Sequence, residues 1–483
     1  RRPTAPCATR SWAIPMRRPT VWPVLTRGDD RALRERVWRS WVGRGANAGE
    51  HDNRPVIDEI LRLRGEKAAL LGYESFAHYQ TSARMAGTPE RALALLNRTW
   101  EALADPMAAE TAALQTLAGA TPLAPWDRRY YAERDRQLRL AYDSDTVLPY
   151  FSLENVVSAM TFAAAEVFGL TFREVEGIPT VADEIRVLEA SRDGEVLGLI
   201  YLDLYQREGK GPSSWASQYR PYTDYAGRQL PLVALHSAVQ PPAAGDAALV
   251  PWERANVIFH EFGHTLHTLQ NRARYPSLGA LAMPWDFIEV PSLLNERWLL
   301  DRDLLQRFMI HHETGERMPD ALIDTLLAAQ QDARVFSVGY PYLASALVDL
   351  RLHLLADGRA IDVVAEERAI LEDIGLPPSF DLTLYVPHAF HTFSREYAAG
   401  MYTYLWSDTY AADAAEAFLN APGGLYDKTV ARRWRKEVLE GGNTVPAAEA
   451  YEAFRGGPPD WGALLRRFDL PGTGDGDQVV SGR

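Results

Sequence analysis

His260-Glu261-Phe262-Gly263-His264 sits inside an apolar helical run, and no other stretch constrains the fold as much. Residues four apart project from one face of a helix. Both imidazoles can therefore reach one metal ion, while Glu261, on the neighbouring turn, points at its open side. The apolar residues around them require the same helix to pack into a core. A chain with this segment is expected to fold around a buried helix that shows two histidines to a cleft.

Most of the remaining chain carries a helical pattern. Arg31–Val42, Val56–Leu71 and Pro89–Leu117 place apolar residues at spacings of three and four. The third opens with Thr88-Pro89-Glu90, an N-cap, a first-turn proline and an early acid. Between Thr171 and Leu204 the pattern turns to short β-rich segments, Ile185–Leu188 and Leu197–Leu202, with Asp193-Gly194 as the hairpin turn between them. A third strand, Leu230–His236, and the Pro- and Ala-rich loop Pro241–Gly245 lead to Pro251, which opens the motif helix. These shifts divide the chain into an irregular basic segment 1–27, a helical lobe segment 28–170, a catalytic region 171–471 and a disordered tail 472–483.

Composition removes several classes of function. With 483 residues, 47% of them hydrophobic, the chain can bury an extensive core. The lone Cys7 excludes an intrachain disulfide and favours a reducing, cytoplasmic compartment. A formal charge of −13 argues against a nucleic-acid partner. No stretch reaches the roughly eighteen apolar residues of a membrane span; the best candidate, Val156–Leu170, is interrupted by Glu166. The arginine-rich start, Arg1–Arg18, lacks the apolar segment of a secretory signal. It reads as a truncated or misassigned beginning, with an organellar presequence as the alternative.

Two histidines do not complete a catalytic metal site, which takes a third protein ligand and leaves a fourth position for water. His267 lies on the same general face, but ligands on successive helical turns cannot all converge on one point without distortion. Glu289, in Trp285-Asp286-Phe287-Ile288-Glu289-Val290-Pro291-Ser292, can present its carboxylate from a second helix returning antiparallel. Glu289 is the stronger candidate, and His267 then packs behind the site.

Four groups of residues occur in the order found in one enzyme family. They are Phe259 to His267; Asp286 to Ser292 with Asn295, Glu296 and Trp298; Tyr201-Leu202-Asp203-Leu204-Tyr205 with Arg207, Gly209 and Lys210; and Tyr397-Ala398-Ala399-Gly400 with Tyr402, Tyr404, Leu405 and Trp406. From about Arg31 to Leu470 the chain resembles the thimet oligopeptidase family of zinc metallopeptidases, most of all its bacterial peptidyl-dipeptidases. The resemblance implies a mainly α, two-lobed helical zincin-type fold with a small sheet beside the H-E-x-x-H helix. It also implies that the N-terminal part of one lobe is missing, because family members commonly carry a further helical region ahead of Arg31. One Zn²⁺ per chain is implied, with His260, His264 and Glu289 as ligands and Glu261 as general base toward a metal-activated water. Asp286 and Glu296 are expected to accept hydrogen bonds from the imidazoles. Short peptides are the implied substrates, and a monomer the implied state.

Peptide hydrolysis builds negative charge on the carbonyl oxygen, so the cleft needs hydrogen-bond donors opposite the metal. His388, His391, Tyr397, Tyr402 and Tyr404 share one segment. Taken alone, such aromatic spacing reads as core. The resemblance instead assigns His391, Tyr397 and Tyr404 to substrate binding or the oxyanion, with Tyr404 the first choice as donor. This chain departs from the family at Ser394-Arg395-Glu396, where glycines are usual, and at Met401, where the first of two tyrosines is common. Release of C-terminal dipeptides needs a cation for the free carboxylate, for which Arg395, Arg207 and Lys210 are candidates. The alternatives are internal cleavage by the same chemistry and a truncated, inactive peptide-binding remnant.

Overall fold

The computed structural model describes residues 14–140, 143–331, 340–355, 361–382, 384–393 and 397–471. The expected disordered tail, Ser394-Arg395-Glu396 and most of the basic start lie outside the described residues. The chain is mainly helical, with one small sheet. Helix Arg31–Val42 has the expected bounds, and its N-cap Asp30 accepts the amides of Ala32 and Leu33. The second expected helix runs from Arg54 to Leu70.

The third reading needs correction: Pro89–Leu117 is two helices, Pro89–Ala102 and Ala104–Ala118. Pro106 has no amide to give the carbonyl of Ala102, so the ladder breaks there despite continuous apolar periodicity. Segment 1–27 is also not wholly irregular, because Arg18–Arg27 is helical. Val21 and Leu25 on that helix pack on Val37 and Trp41 in a cluster of their own, with Trp22 edge-on to Trp41 at 4.9 Å.

The five strands are β1 (Leu170–Glu174), β2 (Arg186–Arg192), β3 (Glu195–Tyr205), β4 (Trp215–Arg220) and β5 (Leu232–Val239), in spatial order β1-β2-β3-β5-β4. β2 and β3 form the expected antiparallel hairpin. Its turn residues Asp193 and Gly194 have φ values of 52° and 82°, the left-handed pair that an Asp-Gly turn accepts. β5 runs parallel to β3, and β4 closes the sheet as an antiparallel edge. The sequence reading lacks β4, whose residues Trp215–Arg220 are only partly covered and show no apolar alternation.

The main core extends through both the 28–170 and 171–471 segments. It joins Phe76, Leu95 and Leu96 to Leu343, Leu347 and Trp406, and Ile200, Leu202, Val233 and Leu235 of the sheet to Phe259, Phe262 and Leu266 of the motif helix. Each of those fully buried apolar side chains contributes about 1.5–3 kcal/mol relative to exposure. That packing sets the depth and rotation of the motif helix against the sheet.

Asp203 on β3 is only 3% exposed and carries a network that overturns one expectation. Its carboxylate accepts from Lys210 Nζ at 2.8 Å, His236 Nδ1 at 2.9 Å and Arg207. Lys210 also donates to the carbonyls of Asp203 and Tyr205, at 2.7 and 2.8 Å. Arg207 and Lys210 are thus internal partners of Asp203 rather than cations presented to a substrate carboxylate. Burial pushes the Asp203 carboxyl up, but Arg207, Lys210 and His236 outweigh it and hold the group at about 2. Because this lies below the value of an unfolded aspartate, its contribution is complete above about pH 4 and is lost as pH falls toward 2. Asp203→Asn leaves the buried Lys210 with backbone carbonyls but no counter-charge and is expected to cost about 3–5 kcal/mol at pH 7. In chemical denaturation, the deficit relative to wild type should shrink across that acidic window.

Candidate metal centre

The motif helix spans Trp252–Gln270, directly after Pro251. Phe259, Phe262 and Leu266 lie in the core, leaving His260 and His264 half-buried on another face. Gly263 meets the segment that follows Glu289. A Cβ built at Gly263 would lie 2.5 Å from Ser292 Cα and 2.9 Å from the Pro291 carbonyl oxygen. Only glycine allows this approach, and it brings helix Val290–Asn295 onto the motif helix. Asn295 Nδ2 secures the contact by donating to the Phe259 carbonyl at 2.7 Å.

Glu289 is not inside a second helix; it stands at the N-cap of the short helix Val290–Asn295. Its Oε2 lies 3.1 Å from His260 Nε2 and 3.0 Å from His264 Nε2. The ligand atoms of the three residues all fall within 4.8 Å of one another. Ligands around a tetrahedral ion with bonds of about 2.0–2.1 Å are separated by about 3.3 Å, so the group fits a Zn²⁺-sized ion, and its N, N, O donors suit one. Ser292 Oγ lies 2.8 Å from the Glu289 carbonyl oxygen and 3.2 Å from Glu289 Oε2, and its one proton is shared between these acceptors. His260 Nδ1 donates to Glu296 Oε1 at 2.8 Å, and Asn256 Nδ2 donates to the other oxygen of Glu296 at 2.8 Å. The expected imidazole acceptor at Glu296 is present, and it leaves His260 Nε2 free to ligate.

Charge follows the same arrangement. Burial alone would lower the His260 pKa, but Glu289 and Glu296 beside it raise it well above the usual histidine value. Burial would raise Glu289, yet His264 and His260 carry it below the carboxylate range. Glu261 is raised by burial, with His260 and His264 opposing the shift.

The packing expected of His267 is seen, whereas the hydrogen bond expected of Asp286 is not. His267 is buried, stands outside the metal group, and its Nε2 finds no hydrogen-bond partner among the described residues. Burial and His264 push it down to about 3, which keeps it neutral. It is a packed residue because its turn of the helix faces the core. Asp286 touches no imidazole. It accepts the amides of Met85 and Ala86, each at 2.9 Å, and the Tyr402 hydroxyl at 3.0 Å. The reason is orientation: Asp286 lies three residues before Glu289, with its carboxylate turned toward the residues after helix Phe76–Thr81.

The three residues assigned to the transition state are brought together. Tyr397 stacks on Tyr404 with centroids 5.6 Å apart and planes within 1°, and His391 lies 4.8 Å from Tyr397. Trp285, on the Glu289 segment, meets Tyr397 edge-on at 5.4 Å and so links this aromatic group to the metal loop. Burial, the Glu289 carboxylate and the neighbouring phenols raise the Tyr404 pKa far above that of free tyrosine, so its hydroxyl stays a donor. Burial lowers His391 and favours the neutral imidazole. Met401 is buried in the main core rather than lining an open surface.

Sequence reasoning missed Tyr342. Its ring meets Tyr404 edge-on at 5.7 Å, and its hydroxyl donates to the Met401 carbonyl. It belongs to helix Tyr340–Leu354, where Tyr-Pro-Tyr is ordinary helix-start composition and no motif marks it.

Comparison with known proteins identifies the family and the fold. A model described as peptidase family M3 matches residues 24–470. The chain is 32% identical to oligopeptidase A of Salmonella typhimurium over 469 residues, which cover 94% of this chain and 68% of that protein. It is also 32% identical to dipeptidyl carboxypeptidase of Escherichia coli over 474 residues, covering 95% and 68%. Among solved structures, an M32 carboxypeptidase from Deinococcus radiodurans R1 shares the fold with a TM-score of 0.51 at 16% identity, over 98% of this chain and 86% of that one.

Two substitutions test the geometry through metal affinity. Glu296→Ala is expected to weaken binding about 10–100-fold in competition with a chromogenic chelator, since His260 loses its orienting acceptor. Gly263→Ala should push the Pro291–Ser292 backbone away, weaken binding comparably and cost about 1–3 kcal/mol of stability. An unchanged affinity in Gly263→Ala would show that the close approach does not set the ligand spacing.

Proposed function

Because the chain belongs to peptidase family M3, a family of metallopeptidases, we propose that it is a zinc-dependent peptidyl-dipeptidase releasing dipeptides from the free C-terminus of short peptides. The observation that carries the hydrolytic part is the convergence of His260, His264 and Glu289, with Glu261 adjacent to the first of them. When bound there, zinc would polarise the scissile carbonyl and acidify a coordinated water.

The chain's own residues supply the rest. Glu261 takes the proton of the attacking water and later delivers it to the leaving amine. Its burial, which favours the protonated carboxyl, eases that delivery. Tyr404 donates a hydrogen bond to the developing oxyanion, and burial beside Glu289 keeps its phenol protonated for that role. Tyr397, stacked on Tyr404, and His391, tilted against Tyr397, hold the peptide against the metal side of the cleft. The similarity to a dipeptidyl carboxypeptidase supports the exopeptidase mode. The equal similarity to oligopeptidase A favours a second reading, internal cleavage by the same residues. The lone Cys7 supports a cytoplasmic location.

Mass spectrometry of products from a free and a C-terminally amidated nonapeptide separates the modes. Stepwise loss of dipeptides from the free peptide alone is expected; internal cuts in both would replace the first reading with the second. Glu261→Gln should lower kcat by about 10²–10⁴-fold with metal still bound. Tyr404→Phe should lower kcat by about 10²–10³-fold.

A further inference from the structure

Asp349 lies on helix Tyr340–Leu354, is 1% exposed and is not one of the three metal-group residues. Three successive backbone amides point at its carboxylate. Gly400 and Met401 donate to Oδ2 at 2.8 and 3.0 Å, and Ala399 donates to Oδ1 at 3.2 Å. Ala399 has a φ of 48°, a left-handed conformation that an alanine adopts only where its surroundings enforce it. Consecutive amides turned inward by one left-handed residue form a concave anion site, and here a side chain of the same protein fills it.

The arrangement continues beyond Asp349. His353 Nδ1 lies 3.1 Å from Asp349 Oδ1 and 2.8 Å from the Asp349 carbonyl oxygen, both acceptors, so Nδ1 carries the proton. His353 Nε2 is then an acceptor, and Arg64 Nη1 donates to it at 2.7 Å. Arg64 also donates to the carbonyls of Thr392 and Phe393, at 3.1 and 3.2 Å. One end of this chain of bonds therefore grips the backbone directly after His391. The other grips the backbone between Tyr397 and Tyr404.

We propose that Asp349, His353 and Arg64 form a positioning relay that fixes the backbone turn ahead of Tyr404, and thereby aims its hydroxyl at the oxyanion. The inference rests on the assignment of Tyr404 to the oxyanion. Asp349 touches no reacting atom; it acts through the turn Ala399–Met401, whose amides it gathers, and so through Tyr404 three residues further on. The relay also joins the N-terminal helix Arg54–Leu70, which carries Arg64, to the donor side of the cleft.

A double-mutant cycle on the zinc-loaded enzyme tests it. Asp349→Asn keeps the shape but sets an amide group against three donors. It is expected to lower kcat about 10²-fold with little change in KM, as misplacement of a transition-state donor does. In a Tyr404→Phe background the same change should cost less than about threefold, because the donor it positions is already gone. Arg64→Lys, further from the turn, should give a smaller loss with the same dependence on Tyr404, and it decides the matter if Asp349→Asn does not fold. Equal losses in both backgrounds, or an undiminished kcat in the single variants, would overturn the relay while leaving the donor assignment standing. A Tyr404→Phe enzyme with wild-type kcat would instead sink the donor assignment, and the relay with it.

Discussion

The metal group depends on how closely two stretches of backbone approach at Gly263. A helix packed by Phe259, Phe262 and Leu266 against a sheet has its histidines at a fixed depth, and a carboxylate reaches them only if its own backbone comes very near. With the Ser292 Cα 2.5 Å from where a Cβ would lie, no side chain fits between the two segments. The pairing of Asn295 with the Phe259 carbonyl then holds them together. From that single contact follow the spacing of Glu289 to both histidines and the reach of Glu296 to His260.

Buried carboxylates organise the surroundings of this contact. An ionised side chain out of water is costly unless its oxygens are satisfied, so each such group strongly prefers the one arrangement that satisfies it. Asp286 gathers two amides after helix Phe76–Thr81 and the hydroxyl of Tyr402, tying the N-terminal helices, the Glu289 loop and the tyrosine helix at one point. Asp349 gathers the three amides that begin the tyrosine helix Tyr402–Leu419. Asp203 gathers two cations and a histidine at the end of β3, next to the parallel strand β5. All three belong to segments whose apolar pattern alone says nothing of where their carboxylates point.

Much of the fold was legible because local periodicity and turn chemistry agreed with the final packing. Helix Arg31–Val42, the Asp193-Gly194 hairpin and the motif helix each follow from residues close together in sequence. The misreadings have equally local causes. The break before Pro106 was hidden by uninterrupted apolar spacing, and β4 is an edge strand with neither face strongly apolar. The short helix at Arg18–Arg27 gains its stability from Trp41 and Val37, a contact beyond any local window.

The sequence by itself determined the chemistry on offer: three histidines and the motif glutamate on one helix, fixed by residue type and helical spacing, with a downstream glutamate and a group of aromatic residues that only the family resemblance marked as donors. Only the tertiary structure decided which groups meet. It brought Glu289 beside His260 and His264, the arrangement the sequence already favoured, while the turn bearing His267 faces the core. It turned Asp286 from the imidazoles to the Met85 and Ala86 amides, committed Arg207 and Lys210 to Asp203, and brought Tyr342 and Asp349 beside Tyr404 and the turn before it, from a helix with no recognisable motif. The physical reason is that spacing along a chain defines which residues share a face, whereas the direction of a buried polar side chain is set by partners distant in sequence.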